Sequence, residues 1–146
     1  FAPNLQLIDS HTEPDNKNCS MFSYQVKLDL SVYSDNYSVG CDCSTIEISI
    51  KFKWDASLDT FDDPFTEEQL DIPSFVCPTK SAKDTLGQIT AYASAQLGSQ
   101  YCTHAFSVLV VWDTAHIIRW DQEGTLVMTP IKYGEDQTLA KFFSRY

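Results

Sequence analysis

The sequence is poor in basic residues and has no long run of apolar residues. Ten lysines and arginines stand against twenty aspartates and glutamates, which gives a net charge of −10. This charge repels a phosphate backbone at long range, so nucleic acid is a disfavoured partner unless the fold builds a local basic groove. No apolar segment approaches the roughly 20 residues that a membrane-spanning helix needs. We therefore expect no membrane partner.

The cysteines are too few and too irregularly spaced for a secreted, disulfide-rich protein. There are five, an odd number, so we expect a reduced, intracellular protein of the cytoplasm or nucleus. Cys41-x-Cys43 with Cys102-x-His104 is only a weak zinc pattern, because structural zinc sites usually have C-x2-C spacing. The chain begins at Phe1 rather than Met, so we expect a fragment of a longer protein.

The length and composition fit one compact domain. The chain has 146 residues, of which 43% are hydrophobic, enough for a core. Residues 1–23 are polar and turn-rich, and we expect an extended lead-in or a short edge element there. Residues 24–146 then read as strand, strand, helix, strand, strand, strand, helix. This order predicts an α/β or α+β domain whose central mixed sheet is flanked by helices.

The clearest local pattern is the alternation of apolar and polar residues over Ile46–Trp54, which predicts a strand. One face carries the apolar residues Ile46, Ile48, Ile50, Phe52 and Trp54, and the other carries Glu47, Ser49, Lys51 and Lys53. A second alternating strand over Tyr24–Tyr33 places Asp29 on its polar face.

Further along, helix and turn signals define the second half. Ser81 followed by Asp84 has the spacing of a capping box, and Gly98 is a plausible end for the helix. Apolar Phe106–Val111 predicts a central strand, and the turn at Asp121–Gly124 predicts a hairpin. A final apolar stripe, formed by Leu139, Phe142, Phe143 and Tyr146, predicts a terminal helix.

The order of polar residues matches the core of PD-(D/E)XK nucleases. Asp29 precedes Lys53, and Gln88 and Tyr92 follow four residues apart on one helix face. In such a site carboxylates hold Mg²⁺, which prefers oxygen ligands, and the lysine orients the attacking water. The acidic residue expected two positions before the lysine is Lys51 here. A cation at that position repels Mg²⁺ and attracts Asp29.

Three hypotheses remain open. The first is a catalytically degenerate nuclease-like domain that binds no metal and acts as a binding or regulatory module. The second is an active Mg²⁺-dependent DNA nuclease that uses Asp29, Lys53, Gln88 and Tyr92. In it Asp29 is the metal ligand, Gln88 and Tyr92 hold substrate or water by hydrogen bonds, and the missing carboxylate comes from the Asp55–Asp63 loop. Glu47 cannot replace it, because it lies roughly 20 Å from Lys53 along an extended strand. The third is a purely structural interaction domain.

Six segments of the chain carry a further resemblance: Lys27–Tyr33, Ile50–Asp55, Asp63–Phe65, Gly87–Tyr92, Thr103–Leu109 and Ile118–Asp121. Together they resemble the region that precedes the kinase domain in the fungal-type protein kinase family of mushroom-forming fungi. In that family the first segment usually reads like K-P-D-I-S-V-Y and the second like I-E-F-K-W. Here Leu28 replaces the proline and Lys51 replaces the glutamate.

The resemblance implies a PD-(D/E)XK-type fold and a kinase domain that would follow Tyr146. The chain itself has no Gly-rich phosphate loop, no H-R-D triplet and no D-F-G triplet, so we expect no kinase activity from it. A kinase domain of the same polypeptide, or another protein, is the expected partner.

Overall fold

The structure is a computed structural model, and it describes residues 4–12, 14–15, 26–34, 41–63 and 75–146. These residues form a mixed α+β fold, in which one seven-stranded sheet is packed against two α-helices. In chain order the strands are β1 (Leu5–Asp9), β2 (Leu30–Ser34), β3 (Ile46–Lys53), β4 (His104–Val111), β5 (Thr114–Asp121), β6 (Thr125–Val127) and β7 (Ile131–Lys132).

The sheet is mixed because of a single crossover. The order across it is β1-β2-β3-β4-β5-β6, and β7 also pairs with β5. Strands β3 and β4 are parallel, and the other described pairs are antiparallel. Parallel neighbours need a long connection, and here it contains a 3₁₀ helix (Ala56–Leu58) and the helix α1 (Lys80–Gln100). The second helix, α2, spans Thr138–Arg145.

The ends of α1 differ from the sequence prediction. The N-cap is Thr79, whose hydroxyl accepts a hydrogen bond from the Ala82 backbone N–H, so the Ser81 capping box is wrong. The predicted end at Gly98 is also wrong, because the helix continues to Gln100. It stops at Tyr101, which adopts the left-handed conformation that glycine usually provides.

Two helices cover opposite faces of the sheet. The α1 face, represented by Leu109 and Ile118, packs against Ile89 of α1. The α2 face, represented by Ile48 and Ile117, packs against Phe143 of α2. Neither helix of the described part is long and apolar enough to cross a membrane.

Buried hydroxyl groups lie across the middle of the sheet. Ser10 Oγ lies 2.6 Å from Ser31 Oγ, and Ser49 Oγ lies 2.7 Å from Ser107 Oγ. Ser107 Oγ also accepts a hydrogen bond from Trp120 Nε1 at 3.0 Å. Each of these hydroxyls therefore has a partner, as buried polar groups require. The polar side of β3 is thus partly a core surface, because Ser49 is buried.

Three strand predictions can be compared with the structure. The hairpin across Asp121–Gly124 is confirmed, since β5 pairs with β6 there. The predicted strand Tyr24–Tyr33 is shorter at its start: β2 begins at Leu30, and residues 24–25 lie outside the described residues. Within the predicted lead-in, Leu5–Asp9 pairs with β2 as the edge strand β1.

Two tryptophans stand at the carboxyl ends of the parallel strands. Trp54 was assigned to the apolar face, but β3 stops at Lys53 and the Trp54 side chain is 80% exposed. Trp112 begins the two-residue turn between β4 and β5, with φ 52°, and is 61% exposed. Its backbone N–H donates to the Lys53 carbonyl at 2.9 Å, which holds the two strand ends together.

Candidate functional site

The structure brings the predicted polar residues together beneath α1. Asp29 directly precedes β2, and Lys51 and Lys53 lie on the neighbouring strand β3. Gln88 and Tyr92 lie on α1, which crosses over the same side of β3. The arrangement follows from the alternation of β3, because Lys51 and Lys53 pair in register with Leu109 and Val111 of the α1 face.

Both carboxylate oxygens of Asp29 are engaged. Lys51 Nζ donates to Oδ1 at 2.7 Å, and the Phe52 backbone N–H donates to Oδ2 at 2.8 Å. The expected pairing of Lys51 with Asp29 is therefore present. The pair is largely shielded from solvent, so its attraction is stronger than that of a fully exposed pair.

The residues at this site do not fit Mg²⁺ as they stand. A magnesium site needs several oxygen ligands, but both oxygens of Asp29 already accept hydrogen bonds. Asp9, the other carboxylate that lines the cleft among the described residues, is paired with His11. Among the described residues, no group of three His, Cys, Asp or Glu side chains could hold a metal ion. This holds for the Cys41, Cys43, Cys102 and His104 pattern too, and the two first cysteines lie in the hydrophobic core.

Lys53 points its ammonium toward α1. Its Nζ donates to Gln88 Oε1 at 3.1 Å. Burial lowers the pKa of Lys53, the charge of Lys51 lowers it further, and Asp29 acts in the opposite direction. Since Lys51 and Asp29 offset each other, Lys53 gives the site one positive charge in a protein whose overall charge is negative.

Tyr92 is close to the site, but its hydroxyl is used differently from the predicted role. The Tyr92 hydroxyl donates to the Lys27 backbone carbonyl at 2.7 Å, so it anchors the chain before β2 to α1. Lys51 Nζ lies 6.0 Å from the Tyr92 ring centroid, within cation–π range. Burial, and after it the charge of Asp29, raises the pKa of Tyr92 to about 12.

An open cleft of about 520 Å³ gives access to Asp29 and Lys51. The ion pair lies at one side of it, and Phe52 and the exposed Trp54 lie at another, with their rings stacked at 6.4 Å. A small polar group can therefore enter the cleft and contact the ion pair, which has no net charge and lies beside an aromatic surface. The full lining is Asp9, His11, Asp29, Leu30, Lys51, Phe52 and Trp54.

The sequence interpretation missed a second polar pair on the α1 face. His116 Nε2 lies 3.0 Å from Asp59 Oδ2, and the His116 ring packs edge-on against Phe61. His116 is buried, and its Nδ1 has no hydrogen-bond partner among the described residues. No motif joins two residues 57 positions apart, and Asp59 was grouped with an acidic surface loop. The pairing also removes Asp59 as a free carboxylate for the site.

Comparisons of this chain with protein-family models, with curated proteins and with solved structures each return no match. The candidate site is therefore defined by its own geometry. That geometry contains an ion pair, a lysine–glutamine contact and a neighbouring cleft.

Proposed function

We propose that this chain is a nuclease-like domain that has lost its metal-dependent chemistry and acts as a binding or regulatory module. The single observation that supports this most directly is the double engagement of Asp29 by Lys51 Nζ and the Phe52 N–H. A carboxylate with both oxygens occupied by donors is a poor metal ligand, and the lysine places a positive charge where a cation would sit. The PD-(D/E)XK assignment itself is part of the proposal.

The resemblance to the region before the kinase domain of fungal-type protein kinases gives this module its proposed context. A kinase domain in the same polypeptide, or another protein, would be its partner. The net charge of −10 favours a protein partner over nucleic acid, because it repels phosphates at long range. Lys53 is a single lysine without an acidic partner in the described part of the site, and one lysine is too little to form a basic groove.

The decisive experiment is a metal titration of wild type and Lys51→Glu. We expect no saturable Mn²⁺ binding to wild type by calorimetry. Lys51→Glu places a carboxylate two residues before Lys53 and beside Asp29, and paired carboxylates capture a hard cation. We therefore expect Mn²⁺ to bind this variant and to raise its melting temperature, as any ligand of the folded state does.

Two control variants separate the effect of the added carboxylate on metal binding from the effect of removing the lysine. Lys51→Gln removes the cation without adding a ligand, so it should gain no metal binding. The double variant Lys51→Glu/Asp29→Ala should lose what Lys51→Glu gained. Saturable Mn²⁺ binding by wild type, with DNA cleavage that Asp29→Ala abolishes, would instead establish an active nuclease. Absence of metal binding in every variant would favour the purely structural hypothesis.

A further inference from the structure

The α2 face contains an apolar groove between the edge strand β1 and helix α2. Its floor is formed by Val32 and Ile50, and Leu7 of β1 forms one wall, with its side chain 54% exposed. The groove has a volume of about 280 Å³, comparable to one or two large apolar side chains. Its remaining lining residues are Leu5, Leu30, Phe52, Val108, Val110, Tyr133, Leu139 and Phe143.

The dimensions of the α2 face leave space for one more helix. Strands β1 to β5 span roughly 19 Å at the usual strand spacing, whereas one helix is about 10 Å wide with its side chains. Helix α2 has 8 residues and is therefore only about 12 Å long. It contacts Phe106 of β4 through Phe142, which places it over the middle of the sheet. Among the described residues no helix lies over β1 and β2 on this face.

The charges around α2 indicate what kind of helix would fit. The groove shares Tyr133, Leu139 and Phe143 with a depression that also includes the exposed acids Glu135 and Asp136. The basic residues of α2, Lys141 and Arg145, line a different depression, although the charge of Lys141 still reaches Asp136 and, after the hydrogen bonds from Thr138, contributes to lowering its pKa. The rim of the groove near the start of α2 is therefore acidic, and it matches a partner with basic residues.

We propose that this groove docks an amphipathic helix of a partner protein, one whose apolar stripe is flanked by lysine or arginine. Apolar anchors would enter the groove beside Leu7, and the basic flanks would meet Glu135 and Asp136. A second copy of this chain is disfavoured as the occupant, because two molecules of charge −10 repel each other. The groove shares Leu30 and Phe52 with the cleft beside the ion pair, but neither Asp29 nor Lys51 lines it. The proposal therefore holds whether or not the ion-paired site binds metal.

The test uses a fluorescent synthetic peptide of about 18 residues, long enough to form a helix, with leucines on one stripe and lysines on the rest. A peptide of the same composition in scrambled order has no stripe and is the first control. We expect saturable binding of the striped peptide by fluorescence anisotropy and none of the scrambled one. Leu7→Lys should weaken binding about tenfold or more, because it puts a charge into the groove wall.

The matched control variant is Leu126→Lys. Leu126 is also an exposed strand leucine, at 64%, but it lies on β6 and does not line the groove. It should change the affinity by less than about twofold. The charge contribution is tested by Glu135→Lys, which should weaken binding of the basic peptide. Its control is Glu123→Lys at an exposed hairpin residue, which should leave that binding unchanged.

Several outcomes would overturn the proposal. Equal binding of the scrambled peptide, or equal losses in Leu7→Lys and Leu126→Lys, would show non-specific adsorption. Equal binding of a peptide with glutamates in place of the lysines would reject the basic partner. A wild type that dimerises in sedimentation, with Leu7→Lys monomeric, would identify a second copy as the occupant. Absent peptide binding, with a melting temperature lowered by Leu7→Lys alone, would show that the chain covers the groove itself.

Discussion

The two faces of the sheet differ in chemistry, although the same strands supply both. The α1 face combines apolar residues with buried polar pairs, such as Ser49 with Ser107 and His116 with Asp59. The α2 face is apolar along the groove and is covered by a helix of only 8 residues. Buried polar groups need partners in defined positions, so the α1 face is fixed by specific geometry. The α2 face depends mainly on apolar burial, and the groove leaves part of it uncovered.

The difference separates two kinds of surface in one small domain. A face whose buried polar groups are mostly paired with one another has little left to offer a partner, apart from its open cleft. A face that leaves apolar side chains exposed gains free energy when something covers it. The α1 face therefore holds the candidate site, and the α2 face holds the candidate docking surface.

The largest expected effect tests how completely the side chains on each face of the sheet are enclosed. Ile117 and Ile118 are adjacent on β5 and point to opposite faces. Ile118→Ala should cost about 3–5 kcal/mol, because its site is closed on all sides and the cavity cannot collapse. Ile117→Ala should cost about 2 kcal/mol, because Ile117 borders a depression beside α2 that water already reaches. Urea unfolding of both variants measures the difference, and equal costs would contradict the contrast between the faces.

A smaller effect is expected for the ion pair of the α1 face. A double-mutant cycle of Asp29→Ala and Lys51→Ala should give a coupling energy of about 1–2 kcal/mol, since the pair is partly shielded from solvent. The reference cycle is Arg119→Ala with Asp121→Ala, whose charged atoms are 3.9 Å apart and whose basic side chain is more exposed than that of Lys51. It should give less than about 0.5 kcal/mol. Thermal or urea unfolding measures both, and similar couplings would show that the site's ion pair has no special environment.

The smallest effect is confined to alkaline pH and compares Tyr92 of α1 with Tyr146, the residue that follows α2. Burial raises the pKa of Tyr92 to about 12, and burial beside Glu47 raises that of Tyr146 to about 12. Since both folded values exceed the usual value near 10, the linked stability is complete below about pH 10 and is lost as the pH rises through about 12. Wild type should therefore lose stability relative to Tyr92→Phe in that window. Wild type should lose stability relative to Tyr146→Phe in the same pH window.

The absorbance of tyrosinate gives an independent measurement. Each phenylalanine variant should remove one late-titrating phenol from the native titration curve. A Tyr92→Phe variant that leaves the late phase unchanged would show that α1 does not bury this hydroxyl as the structure has it.

The sequence was informative where one strand determined many contacts. The alternation of Ile46–Trp54 predicted that Ile48, Ile50 and Phe52 share one face of β3. Ile46, predicted for the same face, packs instead in the cluster that contains Ala95 of α1. The positions of Asp29, Lys51 and Gln88 around β3 follow from strand pairing and helical spacing. The mixed α+β sheet was also predictable, because its elements have clear periodicity. The roles of these residues in binding stay predictions.

The sequence was less informative about where strands and helices end and about contacts between residues far apart in the chain. Trp54 continued the alternation, but the strand ended one residue earlier and left the indole in solvent. Gly98 was a reasonable helix end, yet the chain used Tyr101 in a left-handed conformation. The contact of His116 with Asp59 depends on how the 3₁₀ helix places its following residue against β5, and no local pattern encodes that placement.

The three tryptophans of this chain give it an internal optical readout. Trp120 is buried on the α1 face and donates its indole N–H to Ser107, whereas Trp54 and Trp112 project into solvent at the carboxyl ends of β3 and β4. A dissolved fluorescence quencher reaches exposed indoles and not buried ones. It would therefore quench the fluorescence of Trp54 and Trp112 and leave that of Trp120. Opening of the core would therefore change the fluorescence of Trp120, whereas contact at the sheet edge would change that of Trp54 and Trp112.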